Sequence, residues 1–207
     1  MHLLMLILGI VLLPKVHTLS CFSCNINNTT CVNTPVNCTA GSQCSAMRLT
    51  QYAGDSKTVD ISSKGCHLPE DVLSCGENSL NFGIYRNVIT KECCASNLCN
   101  DQPAPEPSGF SPNGKRCFFC NGQTCGATLN CLGNEDRCVS ASVGNGLTTM
   151  KGCASSLLCS EVLEIPNGFG VNVKCCQGDF CNGASAARAG LLLLVAPLVS
   201  LVMCAAS

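Results

Sequence analysis

The stretch Lys91–Asn100, KECCASNLCN, decides the fold of this chain. Its two adjacent cysteines, Cys93 and Cys94, are followed by four other residues and then by a cysteine and an asparagine. Because neighbouring side chains of an extended chain point to opposite sides, these two cysteines reach different partners. The same arrangement recurs as KCCQGDFCN over Lys174–Asn182. A second copy with the same spacing and the same trailing asparagine indicates an internal repeat rather than a chance CC pair.

Cysteine makes up 21 of the 207 residues, a density typical of secreted modules that are held together by disulfides. Twenty of these cysteines fall into two sets of ten. Each set opens with a CxxC motif, CFSC and then CFFC, and ends with CCxxxxCN. The sets predict two homologous modules in tandem, residues 19–100 and 117–182. The intervening residues 101–116 are rich in Pro, Gly and Ser, which is typical of a linker.

The beginning of the chain predicts entry into the secretory pathway. Residues 1–18 contain an apolar run, Leu3–Leu13, followed by a polar stretch, which is the pattern of a signal peptide. A single-span membrane anchor is the alternative interpretation, but eleven apolar residues are too few to cross a bilayer. We therefore expect cleavage after Thr18.

The end of the chain predicts a glycosylphosphatidylinositol (GPI) anchor. An apolar run, Leu191–Ala206, follows small residues and a short spacer, which is the pattern of a GPI signal. The run is shorter than the roughly 20 apolar residues of a membrane-spanning helix. We predict lipid attachment at Asn182 and removal of residues 183–207, with Gly183 and Ser185 as alternative attachment sites. Removal of Cys204 with the tail leaves twenty pairable cysteines.

Charge and composition exclude some function classes for the expected mature chain. Residues 19–182 carry ten basic and thirteen acidic residues without a basic cluster, so nucleic acid is not an expected partner. The whole chain has no Trp, two Tyr and seven Phe. Modules of this size with so few large apolar side chains need covalent crosslinks to stay folded.

The segments between the cysteines predict β-hairpins. Residues 45–65 and 76–92 are rich in β-branched and aromatic residues and are interrupted by small or polar ones. In the second module, residues 139–152 contain Asn145-Gly146, a two-residue hairpin signal, and residues 160–174 contain a Pro-Asn-Gly turn signal. Residues 25–37 predict a polar loop and residues 121–130 a shorter one. Since no segment shows a sustained 3.6-residue apolar period, no helix is expected and the predicted fold class is all-β.

Three hairpin-like loops that project from a knot of disulfides define the three-finger architecture. The openings LSCFSC and KRCFFC, the ten-cysteine spacing and the endings CCASNLCN and CCQGDFCN resemble the lymphocyte antigen-6/urokinase-receptor (LU) domain family, which is related to three-finger toxins. The resemblance covers nearly all of residues 19–182. The chain also resembles two-domain members, namely urokinase-receptor-like proteins and gamma-type phospholipase inhibitors.

Disulfide connectivity is not fixed by the spacing, because eight cysteines already allow 105 pairings. The resemblance implies the following pairs in the two modules. They are Cys21–Cys44, Cys24–Cys31, Cys38–Cys66, Cys75–Cys93, Cys94–Cys99, Cys117–Cys138, Cys120–Cys125, Cys131–Cys153, Cys159–Cys175 and Cys176–Cys181. It also implies that the closing asparagines, Asn100 and Asn182, form hydrogen bonds within each knot.

No catalytic, metal or cofactor site is predicted. Redox chemistry at the CxxC motifs would need a thiolate at a helix start in a βαβ pattern, and zinc binding would need reduced thiolates. A nucleophile would need a histidine base, and the expected mature chain contains only His67, which we interpret as a surface residue between fingers. The adjacent carboxylates Glu70/Asp71 and Glu135/Asp136 are typical of solvated loops.

Glycosylation is predicted in the first finger. Asn28 and Asn37 each begin an Asn-X-Thr sequon, and Asn27 overlaps the first of them. A first finger shielded by sugar would be a poor ligand surface.

We therefore predict a GPI-anchored glycoprotein on the outer leaflet of the plasma membrane that binds a protein ligand through its fingers or an inter-domain cleft. The ligand-binding residues predicted here are Tyr52, Asp55 and Lys57 on the second finger and Phe82, Tyr85 and Arg86 on the third, because aromatic and arginine side chains often anchor interfaces. Phe82 and Tyr85 covering the sheet is the alternative. A secreted inhibitor of phospholipases or toxins and a structural adhesion protein are the other two functions that stay open.

Overall fold

The structure is a computed structural model, and it describes residues 18–24, 31–69, 71, 73–121, 124–143, 148–164 and 171–183. Most of the expected signal peptide, the sequons at Asn27 and Asn28 and the apolar C-terminal tail lie outside these residues. So do Glu70, Ser185 and the turn signals at 145–146 and 166–168.

The described residues are mostly β-strand. Strand β6 shows why, because buried Arg86, Val88 and Thr90 alternate along it with less buried neighbours, as expected for a strand with one face in the core. The strands are β1 (Ser20–Ser23), β2 (Thr34–Asn37), β3 (Gln43–Ala53), β4 (Ser56–His67), β5 (Gly76–Asn81), β6 (Arg86–Cys94), β7 (Pro112–Phe119), β8 (Ala127–Leu132), β9 (Arg137–Val143), β10 (Thr148–Ala154) and β11 (Val171–Cys176). The helix is α1 (Ser156–Glu164).

The chain divides into two compact units that do not follow the two cysteine-based modules. Unit two combines the outer parts of the second and third fingers of the first module with the whole of the second module. Unit one takes in the residues up to Met47, Ser62–Asp71 and Glu92–Ala104; unit two takes in Arg48–Ile61, Val72–Lys91 and the residues from Pro105 on.

Unit one is held together by disulfides and by one buried amide. Its strands β1 and β2 pair antiparallel, with Cys21 opposite Val36. Asn100 is buried, and its side chain accepts the Phe22 N–H at 2.9 Å and donates to the carbonyls of Phe22 and Ser45, both at 2.8 Å. The disulfides of unit one are Cys21–Cys44, Cys24–Cys31, Cys38–Cys66 and Cys94–Cys99.

Unit two has the same kind of knot. The buried Asn182 accepts the Phe118 N–H at 3.0 Å and donates to the carbonyls of Phe118 at 2.9 Å and Val139 at 3.0 Å. Its disulfides are Cys117–Cys138, Cys120–Cys125, Cys131–Cys153, Cys159–Cys175 and Cys176–Cys181. Cys75 and Cys93 are disulfide-bonded as well.

A seven-stranded sheet organises unit two, with the strand order β11-β9-β10-β5-β6-β3-β4. β9 pairs antiparallel with both β10 and β11, and β5 pairs antiparallel with β6. The first-module strand β5 joins the second-module strand β10 through Cys153 opposite Asn81 and Ala154 opposite Leu80. Strands β5 and β10 approach so closely there that a Cβ on Gly152 would lie 1.9 Å from the Asn81 carbonyl oxygen. Only glycine fits at this join.

The hairpins predicted over residues 45–65 and 76–92 are present as β3–β4 and β5–β6. The second finger turns at Gly54-Asp55, where Gly54 has a φ of +57°. Two segments predicted as loops also contain strands, namely β2 within residues 25–37 and β8 within residues 121–130.

One expectation from the sequence is wrong. A helix, α1, occupies Ser156–Glu164, partly within the segment predicted to be a hairpin. At nine residues it is too short to show a sustained apolar period, and its buried residues Leu158 and Cys159 pack into unit two. Within the predicted linker, β7 begins at Pro112, and both Ala104 and Pro107 are buried. None of the helices in the described part of the chain is long and apolar enough to span a membrane.

Candidate ligand-binding site

The turn between β5 and β6 forms the tip of the third finger and displays two apolar side chains. Ile84 is 48% exposed and Tyr85 is 47% exposed. The Phe82 N–H donates to the Tyr85 carbonyl at 2.8 Å, and the Gly83 N–H donates to Asn81 Oδ1 at 2.9 Å. These bonds fix the backbone of the turn, so the two apolar side chains are held out on a rigid support.

Gly83 is required at this tip for two reasons. Its φ is +80°, a region that residues with a Cβ rarely adopt. A Cβ there would also lie 2.4 Å from the Phe119 ring, which belongs to strand β7. The tip is therefore packed on its inner side against strand β7 and open on its outer side.

Phe82 points the other way and is buried in the apolar core of unit two with Val139, Ala141, Ala154 and Cys159. This position leaves little of the Phe82 side chain exposed for the predicted contact with a ligand. It agrees instead with the alternative that Phe82 covers the sheet.

Arg86 is also buried, because it neutralises a buried carboxylate. Its Nε lies 2.8 Å from Glu135 Oε1, and the two side chains are 6% and 0% exposed. Glu135 further accepts hydrogen bonds from the Ser79 hydroxyl at 2.6 Å, the Asn81 amide at 3.2 Å and the Leu132 N–H at 2.9 Å. The interpretation of Glu135 as a solvated loop charge is wrong, since none of its side chain is exposed. Arg86, which is predicted to contact a ligand, exposes only 6% of its side chain. Asp136 does lie partly exposed, paired with Arg137 at 3.0 Å.

The same guanidinium positions part of the predicted linker. Arg86 Nη2 donates to the Gly109 carbonyl at 2.6 Å, and the guanidinium carbon lies 5.1 Å from the centre of the Phe110 ring. Phe110 packs edge-on against Tyr52 at 5.2 Å between ring centres and stays 47% exposed. Partial burial raises the pKa of the Tyr52 hydroxyl. Tyr52 thus packs against the linker while only half-buried.

The second finger carries a network of charged side chains. Arg48 binds Asp60 through two hydrogen bonds of 2.7 Å, and Lys57 lies 2.8 Å from the same carboxylate. Glu106 forms ion pairs with both Arg48 and Lys57. The hydrogen bonds from Arg48, supported by Lys57, lower the pKa of Asp60 from 3.8 to about 2. Asp55 lies exposed at the turn of this finger.

Next to the third-finger tip, unit two contains an apolar cavity of about 230 Å³ that is partly open to solvent. The Phe82 side chain and five elements surround it, namely β5, β9, β10, α1 and β11. The atoms that line it are apolar. Its lining includes Phe82, Val139, Ala141, Met150, Leu158 and Val173. Among the described residues, the lining of the cavity therefore offers hydrophobic contacts and no hydrogen-bonding atom.

Other residues singled out in the sequence have these positions. Asn37 is exposed at the end of β2, and its Oδ1 accepts a hydrogen bond from the Ser20 hydroxyl at 2.9 Å. His67 is buried, which corrects its interpretation as a surface residue, and its Nδ1 lies 3.3 Å from Asp71. The sulfur atoms of Cys117, Cys131 and Cys153 approach within 4.8 Å, but they are disulfide-bonded and offer no thiolate to a metal ion.

Sequence reasoning missed four residues of this region, namely Ile84, Phe110, Glu135 and Gly152. The glycine in NFGIY signals a turn and could have pointed to Ile84. For Glu135 and Gly152 no local signal exists, because most of the residues that surround them are about 50 or more positions away in sequence.

Comparison with known proteins agrees with this architecture. The sequence model of the u-PAR/Ly-6 domain matches residues 17–102, and that of the snake toxin and toxin-like proteins matches residues 116–182. The urokinase plasminogen activator surface receptor of Mus musculus is 33% identical over 126 residues, which are 52% of this chain and 38% of the receptor. The receptor of Aotus trivirgatus is 25% identical over 197 residues, 83% of this chain and 56% of the receptor. The chain thus spans less than two thirds of the length of these relatives.

A solved structure, the crystal structure of mouse TEX101, is 16% identical, with a TM-score of 0.29, over 80% of this chain and 98% of the other.

The fold and the family matches define a class, the disulfide-crosslinked three-finger proteins, whose members present β-fingers and are not enzymes. Within that class, the u-PAR/Ly-6 domain model covers the first module of this chain and the toxin-like model covers the second. The chain contains two three-finger domains and is distantly similar to the urokinase plasminogen activator surface receptor.

Proposed function

We propose that this chain is an extracellular, GPI-anchored binding protein whose third-finger tip, Ile84 and Tyr85, contacts a protein ligand. The observation that carries the proposal is the pair of adjacent, half-exposed apolar side chains on a turn fixed by backbone hydrogen bonds. An aromatic side chain offers a large apolar contact area at a small cost in side-chain entropy, so Tyr85 is suited to anchor an interface. The relatives named surface receptors support the extracellular location.

The anchor is tested by treating intact cells that express the full chain with phosphatidylinositol-specific phospholipase C. We expect the treatment to release the protein into the medium. A matched chain, in which residues 183–207 are replaced by an unrelated membrane-spanning helix, should stay on the cells. Retention of the natural chain would contradict the GPI anchor, and its presence in the medium before treatment would favour a secreted inhibitor.

The ligand surface is tested with the released protein by measuring its binding to a panel of cell types by flow cytometry. We expect Ile84→Ser with Tyr85→Ser to weaken binding at least tenfold, since both substitutions remove exposed apolar area without altering the core. Val32→Ser is the matched control, because Val32 is 71% exposed in unit one and its loss should leave binding unchanged. Equal binding by the tip variant and the natural protein would contradict the proposed surface.

A further inference from the structure

The apolar cavity of unit two is distinct from the exposed third-finger tip. Phe82 closes one side, helix α1 contributes Leu158, and the middle of β9 contributes Ala141. Strand β11, which contributes Val173, is the edge strand of the seven-stranded sheet. The cavity therefore lies between the sheet and the helix, beside its edge strand.

The chemistry of the lining selects the kind of occupant. All lining residues are apolar, and the accessible surface inside the cavity is contributed by apolar atoms alone. Water in this partly open space finds no hydrogen-bond partner on the described lining, so an apolar group that displaces it breaks no hydrogen bond to the protein. A charged group would lose its hydration without compensation. Only a neutral hydrocarbon group gains contacts there without losing hydrogen bonds.

The volume limits the size of that group. An engineered apolar cavity of about 150 Å³ binds benzene. At about 230 Å³ this cavity is larger, yet it is below the roughly 300–1,000 Å³ of sites for drug-sized ligands. One substituted aromatic ring or one short alkyl chain fits this range.

We propose that the cavity lined by Phe82, Ala141, Met150, Leu158 and Val173 is a binding site for a small, uncharged molecule that inserts an aromatic ring or a short alkyl chain. The proposal does not depend on a protein ligand at the third-finger tip.

The test uses methionine methyl groups as reporters. The protein is produced in a secretory host with ¹³C-methyl methionine and purified without detergent, after phospholipase release where it is lipid-anchored. Met150 lines the cavity, whereas Met47 lies in unit one and serves as an internal control. Met150→Leu identifies the Met150 signal. Titration with toluene should shift the Met150 signal saturably and leave the Met47 signal in place, and benzoate, its charged counterpart, should shift neither.

Filling the cavity provides the second arm. Ala141→Leu places three additional carbons into the space, and we expect it to weaken toluene binding at least tenfold. If this variant does not fold, Val173→Phe on the edge strand fills the cavity from another side. Ile84→Ser with Tyr85→Ser should leave toluene binding unchanged, which separates this site from the finger tip. An unshifted Met150 signal, a non-saturating shift shared with Met47, or binding that survives a folded cavity-filling variant would overturn the proposal.

Discussion

Glu135 is a carboxylate with no exposed surface, and its environment explains why it stays in the core. Four groups donate hydrogen bonds to it, and one of them, the Arg86 guanidinium, also carries the balancing positive charge. Arg86 in turn bonds Gly109 and lies against Phe110. One ion pair therefore links the third finger, the linker and the loop before β9 within unit two.

Removing one partner of this pair should be strongly destabilising. Arg86→Met leaves Glu135 buried without its counter-charge, and we expect a loss of about 3–5 kcal/mol in the free energy of unfolding. Combining Arg86→Met with Glu135→Leu should cost less than the sum of the two single changes, because no isolated charge remains. Guanidinium unfolding of the four chains gives the coupling energy.

The neighbouring pair of Asp136 and Arg137 is the control for this experiment. Its ion pair is 3.0 Å long, but the side chains are 46% and 29% exposed. Arg137→Met should therefore cost no more than about 1 kcal/mol. If Arg86→Met and Arg137→Met lowered the free energy of unfolding by comparable amounts, burial would not be the reason why the Arg86–Glu135 pair stabilises the fold.

The ionisation of Asp60 makes the stability of the fold depend on pH in the acid range. Its folded pKa of about 2 is below the ordinary value of 3.8, because Arg48 and Lys57 bind its ionised form. A lowered folded pKa stabilises the fold above the unfolded pKa, and this contribution is lost as the pH falls from about 4 to 2. Asp60→Asn should flatten this part of the pH dependence of the guanidinium midpoint. An unchanged profile in Asp60→Asn would contradict this role.

At the scale of elements, the join between β5 and β10 determines how the third finger and the second module form one sheet. The join consists of two residue pairs and a backbone contact that leaves no room for a Cβ on Gly152. The clashing atom belongs to the backbone, so a side-chain movement cannot relieve it. This short pairing is therefore sensitive to one methyl group.

Gly152→Ala should separate β10 from β5. We expect it to destabilise unit two by about 1–3 kcal/mol or more, the usual cost of overpacking. Thermal unfolding checks the loss, and amide hydrogen exchange at Asn81 and Cys153 should accelerate. Gly126→Ala is the matched control, since a Cβ there meets no atom within 4 Å, and its stability should change by only a few tenths of a kcal/mol. Unaltered exchange in a folded Gly152→Ala protein would contradict the close approach.

The elements that could be predicted are those whose signals are local. The hairpins β3–β4 and β5–β6 have β-rich strands on both sides of small or polar turn residues, and both were expected. Helix α1 was not, because nine residues with a disulfide cysteine in the middle show no sustained period. The join of β5 to β10 could not be predicted either, because it pairs residues about 70 positions apart.

At the scale of the whole molecule, the repeated cysteine pattern indicates two three-finger domains, since the CCxxxxCN ending occurs twice with the same spacing. The candidate site was harder to predict, because sequence gives residue type but not burial. Tyr85 lies exposed as expected, yet Phe82 and Arg86, chosen by the same reasoning, are buried. Burial depends on the packing of the second module against the third finger, and no local pattern encodes that packing.

The closing asparagine of the second domain has two proposed tasks that one substitution can separate. Asn182 satisfies the Phe118 N–H and several buried carbonyls, while its main chain is the proposed lipid attachment point. Asn182→Ala removes the hydrogen bonds, at a cost of about 1–3 kcal/mol, but keeps a small residue compatible with attachment. We expect less folded protein on the cell surface and an unchanged fraction released by phosphatidylinositol-specific phospholipase C. Asn100→Ala, the equivalent change in unit one, should have the same two effects. If Asn182→Ala alone lost its release by the phospholipase, the anchor would require the asparagine side chain itself.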